Sequence, residues 1–287
     1  MNRNTDTAIL LIDSADRKGL VATISEFLYR HGANILHADQ HQDNDLKLFF
    51  MRVEWDLSEF ELNEETFVQQ FSPLAAEFGM RWRLEWGPRR PAVAIFVSRQ
   101  LHCLIDLLHR YQIGELPCTI PMIISNHTDA QRFAEFYHIP FHYVPVSAET
   151  KAEAEAKEIQ LIEAHQVRLI VLARYMQVLS PAFVARYPRR IINVHHSFLP
   201  AFSGAKPYHG AFERGVKLIG ATSHYVTDVL DEGPIIEQDV LRVSHRDGID
   251  DLIQKGRDVE RIVLSRGVKW HLEHRILGYA NKTVVFD

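Results

Sequence analysis

Beyond Pro91 the chain alternates short β-branched apolar runs with amphipathic helical stripes, and this alternation limits the fold more than any other feature. Ala92 to Val97, Ile120 to Ser125, Phe141 to Val144, Arg168 to Ala173 and Ile191 to His195 read as strands. Leu101, Leu104, Ile105 and Leu108 mark one intervening helix; Asp129 to Tyr137 and Glu149 to His165 are two more. Parallel strands need a long crossover, usually a helix, so the pattern predicts an α/β domain: a mostly parallel sheet with helices on both faces. Ligands of such sheets sit outside the carboxyl ends of the strands.

The first ninety residues follow a different rhythm. Ala8 to Asp13 reads as a buried strand, and Asp16-Arg17-Lys18-Gly19 as a turn. Leu20, Val21, Ile24, Phe27 and Leu28 share one helical face, which Gly32 closes as a C-cap. Asn34 to Gln42 and Lys47 to Trp55 read as strands joined at Asp43-Asn44-Asp45. Asn63 caps a second helix carrying Phe67, Phe71, Leu74 and Phe78, with Pro73 expected to kink or shorten it. Arg81 to Trp86 completes a βαββαβ, ferredoxin-like plan. Gly87-Pro88-Arg89-Arg90-Pro91 has linker chemistry, so the expected division is 1–87, a linker at 88–91, and 92–287.

Composition removes several classes of function. Lys plus Arg number 32 against 37 Asp plus Glu, a net charge of −5, whereas nucleic-acid binding calls for a concentrated basic face. No apolar run reaches the ~18 residues of a membrane span. Met1 to Thr7 is polar, and Ala8 to Ile12 is too short for a signal-peptide core, so a cytoplasmic protein is expected. Two cysteines, Cys103 and Cys118, allow neither a disulfide framework nor a four-thiolate zinc site.

Chemistry concentrates in Ile191-Ile192-Asn193-Val194-His195-His196-Ser197-Phe198-Leu199-Pro200. Asn193 and His195 lie two apart and share one face of a strand. An amide can donate to an oxyanion, and an imidazole can move a proton near neutral pH. A satisfied histidine beside a turn-forming asparagine is the alternative. Downstream, His224 precedes an acidic loop with Asp228, Asp231 and Glu232, and spacing alone leaves that loop either a solvated turn or part of a site. His196, His209 and His224 stay open between structural and functional roles. Adjacent His195 and His196 cannot both reach one ion from a regular strand, and no His-Glu-x-x-His or Cys-x-x-Cys occurs, so no metal site is expected. Phosphate-binding glycine motifs are absent as well.

Asn193-x-His195-x-Ser197-x-Leu199-Pro200, followed by Leu230-Asp231-x-Gly233-Pro234, resembles the signature of the formyltransferase-fold enzymes that use formyltetrahydrofolate. Leu172 to Pro181 matches a further segment of that family, and the likeness runs from about Pro91 to Asp287. The first ninety residues resemble an ACT domain, through Asp16-Arg17-Lys18-Gly19-Leu20 and Gly32-Ala33-Asn34-Ile35. An ACT domain ahead of a formyltransferase domain is the layout of the family's deformylase branch. The resemblance implies hydrolysis of 10-formyltetrahydrofolate to tetrahydrofolate and formate, feeding one-carbon and purine metabolism. It implies no cofactor, the folate being the substrate. Asn193 and His195 would hold the oxyanion, and Asp231, 38 residues beyond Asn193, would pair with His195. Met176, Gln177, Val178 and Leu179, with Thr227 and the loop to Asp231, would wall the pterin, and His224 would back Asp231. Asp16 and Asn34 are the implied positions for an amino-acid effector at the seam of an even homo-oligomer.

The family's glycinamide ribonucleotide transformylases carry a Gly- and Ser-rich loop after their first strand to cradle the acceptor's phosphate. Phe96-Val97-Ser98-Arg99-Gln100-Leu101-His102-Cys103-Leu104 has no glycine, which favours water as the acceptor. Cys103 falls in the apolar helix stripe, as a packed thiol would. A formyltransferase with another acceptor and a non-catalytic folate or amino-acid sensor are the alternatives.

Overall fold

A computed structural model describes residues 6–200 and 207–286; the polar stretch Met1 to Thr5 lies outside the described residues. The chain divides into two compact units: Met1–Arg89 with His274–Tyr279 and Val284–Asp287, and Arg90–Glu273 with Ala280–Thr283.

The first unit contains β1 (Thr7–Ala15), α1 (Leu20–Arg30), β2 (Asn34–Asp43), β3 (Leu48–Asp56), α2 (Glu64–Glu77) and β4 (Arg81–Trp86). Its antiparallel sheet has the order β2-β3-β1-β4. Leu10 and Ile12 of β1 pack with Leu20, Ile24 and Leu28 of α1 and with Phe67 and Phe71 of α2. Gly32 follows α1 with φ of 76°, and a Cβ there would stand 2.8 Å from the Glu59 carbonyl oxygen. Asn63 caps α2 as expected, accepting from the Thr66 amide at 2.9 Å. Pro73 does not end this helix, which continues to Glu77. Buried Phe67, Phe71 and Ala75 on either side hold it in place despite the missing amide.

Leu11 points to the opposite face of the sheet from Leu10 and Ile12. It packs with Phe50, Tyr279, Val284 and Phe286. The last two strands, β12 (Ile276–Tyr279) and β13 (Lys282–Val285), form a hairpin. Residues 274–279 and 284–287 thus belong with the first unit, whereas the sequence pattern places the whole C-terminal end with the second. Burial on both faces explains why β1 is apolar without alternation.

The second unit runs β5 (Ala92–Val97), α3 (His102–Gln112), β6 (Thr119–Ser125), α4 (Gln131–Phe136), β7 (Phe141–Tyr143), α5 (Lys151–Ala164), β8 (Leu169–Ala173), α6 (Pro181–Arg186), β9 (Ile191–His195), α7 (Pro207–Arg214), β10 (Leu218–Tyr225), β11 (Ile235–Arg242) and α8 (Ile249–Leu272). The sheet order is β11-β10-β9-β8-β5-β6-β7. Strands β5 to β9 pair in parallel, while β10 is antiparallel to β9 and β11. From β5 the chain winds outward through β6 and β7, then returns to place β8 on the other side of β5. That reversal is a topological switch point, with its crevice at the carboxyl ends of β5 and β8. Among the described residues no helix is long and apolar enough to cross a membrane.

Glu158 of α5 is buried and accepts from the Tyr175 hydroxyl at 2.7 Å, just beyond β8. Burial pushes its carboxyl up to about 7, from an ordinary value of 4.5. The folded state therefore keeps a proton that the unfolded chain releases, and stability from this group falls as pH rises from about 4.5 to about 7. Glu158→Gln is expected to stabilise the protein by about 1–3 kcal/mol at pH 8 and by much less at pH 5. Denaturant melts at the two pH values measure the difference; equal shifts at both would contradict this assignment.

Candidate active site

Strand β9 buries Ile191, Ile192 and Val194, which leaves Asn193 and His195 on one face at its carboxyl end. Antiparallel β10 places His224 opposite Asn193 and Thr222 opposite His195. His224 Nδ1 donates to the Tyr225 carbonyl at 3.0 Å, so its Nε2 is the acceptor for the Asn193 amide at 3.3 Å. Burial lowers the His224 imidazole, with the carbonyl bond opposing, and the ring is neutral at neutral pH. One Asn193 N–H is therefore spent on orientation.

Asp231 arrives from the loop between β10 and β11. Its Oδ2 lies 3.1 Å from His195 Nδ1, and its Oδ1 lies 3.7 Å from His224 Nε2. The hydrogen bond from His195 is the main cause that holds this carboxyl below its usual range, so Asp231 is ionised at neutral pH. His195 Nε2 is buried and has no hydrogen-bond partner among the described residues. An imidazole nitrogen backed by a carboxylate can transfer a proton.

The loop takes this shape through local constraints. Asp231 has φ of 57°, a left-handed conformation that a non-glycine residue adopts only under constraint. At Gly233 a Cβ would lie 1.7 Å from the Tyr225 carbonyl oxygen, so only glycine lets the chain pass. The Tyr225 amide donates to the Pro234 carbonyl at 2.9 Å, and Asn281 donates to the Glu232 carbonyl at 2.8 Å. Thr227 donates to the Val229 carbonyl at 3.1 Å. Thr222 holds the turn after β9, accepting from the Leu199 amide and donating to the Ser197 carbonyl.

Met176 and Val178 are exposed, Gln177 is half-buried, and Val229 and Leu230 of the Asp231 loop are exposed. The Leu179 side chain belongs to the core with Phe96 and Phe183. His196 follows the last residue of β9, and its ring lies 5.2 Å from that of His195. Burial, with Arg174 nearby, pushes it down to about 4, so it is neutral at neutral pH.

A second polar cluster escapes the sequence reading. Glu260 of α8 is 1 % exposed, with His102 Nε2 at 2.7 Å, the Tyr208 hydroxyl at 2.6 Å and Arg174 Nε at 3.4 Å. Burial alone would raise this carboxyl, but His102 and Arg174 outweigh it and keep Glu260 low. Donor atoms of His102, Cys103 and Glu260 lie within 4.8 Å of one another. Burial, reinforced by Glu260, drives the Cys103 thiol well up, and Arg174 already neutralises the carboxylate, so this donor set suits an ion pair better than a metal.

In the first unit Asp16 lines a cavity of about 590 Å³ with Arg17, Gly19, Gln40 and His41, and it accepts from Gln42. Asn34 is not brought to it: Asn34 opens β2 opposite Asp56, while Gln42 pairs with Phe49 at the far end.

The fold defines a class, the formyl transferases: that family's model matches residues 92–268, and the ACT domain model matches residues 8–68. A formyltetrahydrofolate deformylase of a Synechocystis species is 53% identical over 280 residues, covering 98% of both chains. That of Bacillus subtilis is 50% identical over 99% of this chain and 95% of its own. A crystal structure of a formyltetrahydrofolate deformylase from Pseudomonas syringae superposes with a TM-score of 0.96 at 49% identity, covering 100% of this chain and 96% of that one. The chain belongs to the formyltetrahydrofolate deformylase family.

Gly233→Ala forces a Cβ onto the Tyr225 carbonyl and is expected to destabilise the protein by about 1–3 kcal/mol. Denaturant unfolding measures this, and an unchanged midpoint would show that the loop relaxes freely.

Proposed function

We propose that the chain hydrolyses 10-formyltetrahydrofolate to tetrahydrofolate and formate. The observation that carries this reading is His195: its Nδ1 is held by ionised Asp231 and its buried Nε2 is unpaired among the described residues, beside Asn193. Water adds to the formyl carbon, and its oxygen becomes one of formate's two, the other being the formyl oxygen; its second proton leaves as formic acid ionises. Asn193 donates its remaining N–H to the developing oxyanion, and His195 Nε2 transfers the proton. Asp231 stabilises the charge that develops on the ring. The C–N10 bond then breaks, and the proton removed from water ends on N10. Every atom in this balance comes from the folate or from water. Met176, Gln177 and Val178 on one side and Thr227 to Asp231 on the other offer apolar surface for the pterin.

General acid–base help contributes ~10²–10⁴-fold and an oxyanion donor ~10²–10³-fold. His195→Ala and Asp231→Asn are each expected to lose at least about a hundredfold in formate release, with circular dichroism and melting close to the parent. A near-normal rate in either variant would remove that residue from the mechanism.

The ACT unit binds an amino-acid effector in the Asp16 cavity and pairs with a second copy. Supporting this, the cavity is of ligand size, and β2 is the edge strand of its sheet and mostly exposed. Single amino acids at saturation are expected to shift the melting temperature, and Asp16→Ala to abolish the shift. Absence of any shift or rate change across the twenty would leave the unit as an assembly module.

A further inference from the structure

The catalytic trio does not by itself choose between water and an amine. In transfer, an amine nitrogen bonds to the formyl carbon, the C–N10 bond breaks and one amine proton ends on N10. Hydrolysis follows the same course with water. The choice therefore rests on the space beside the formyl carbon.

That space borders the switch-point crevice, which the chain fills with its own side chains. Ser98, after β5, donates to Asn126 at 2.7 Å and accepts from the Met176 amide at 3.0 Å. Arg174, after β8, is left-handed at φ of 61° and directs its guanidinium at Gln100, 3.1 Å away, and at Glu260. Glu260 uses both oxygens, one on His102 and one on Tyr208. Tyr208 is tightly seated: a Cβ at Gly256, one turn before Glu260, would lie 2.1 Å from its hydroxyl. Its ring is 6.1 Å from that of His196, which lies beside His195. This wall runs from the exposed Gln100 to the reaction centre.

Stability is a poor reason for such a wall. A buried carboxylate and guanidinium lose hydration that their attraction barely restores, and apolar residues of equal volume do as well. Both Glu260 oxygens are already engaged within the cluster. We infer that the Tyr208–Glu260–His102–Arg174 cluster is a plug that closes the switch-point crevice to nucleophiles larger than water and makes this chain a hydrolase, an inference that rests on the deformylase reading above.

The test supplies 10-formyltetrahydrofolate with and without hydroxylamine and measures formate against formylhydroxamate. The parent should give formate with or without the amine. Tyr208→Ala should raise the hydroxamate-to-formate ratio at least roughly tenfold, a relative barrier change of about 1.4 kcal/mol. Tyr208→Phe, which keeps the ring, should match the parent. His102→Ala opens the solvent end, should also raise the ratio, and serves if Tyr208→Ala does not fold. Unchanged ratios in folded alanine variants that still release formate would overturn the plug, as would an equal rise in Tyr208→Phe. A parent that releases no formate without the amine would instead refute the deformylase reading.

Discussion

The 3.1 Å contact between His195 Nδ1 and the Asp231 carboxylate joins the last residue of a parallel strand to a loop that returns from an antiparallel one. Most of the local structure serves that contact. β10 must run antiparallel to β9 for His224 to face Asn193, and Gly233 must lack a side chain for the loop to double back under Tyr225. Asp231 must accept a left-handed backbone to aim its carboxylate inward. Such strain persists where the surroundings over-determine it, here through the Tyr225–Pro234 and Asn281–Glu232 bonds.

The strand–helix alternation after Pro91 was legible because buried parallel strands are continuous apolar runs, and Ile191 to His195 was bounded correctly for that reason. The pairing of Asp231 with His195 was not legible from spacing, since a left-handed residue in a loop leaves no periodic trace; only the family resemblance linked them. The Met176–Leu179 segment alternates, with Met176 and Val178 outward and the Leu179 side chain inward. The partners of Leu11, at Tyr279, Val284 and Phe286, come from the other end of the chain, beyond the reach of any local pattern. Glu260 did leave a signal: it is a charge on the buried stripe of α8 formed by Leu252, Gly256, Val259 and Val263.

Two polar clusters thus stand side by side at the carboxyl edge of one sheet, with opposite characters. Around His195 a ring nitrogen has no partner among the described residues. Around Glu260 both carboxylate oxygens are engaged. His196, neutral between them, separates the ionised Asp231 from the Glu260–Arg174 pair.

The most direct measurement is formate release by the full chain from 10-formyltetrahydrofolate, with no acceptor and with chelator present. The account predicts one formate and one tetrahydrofolate for each substrate consumed, at a rate the chelator leaves unchanged. Folate binding without formate until an amine is supplied would contradict it.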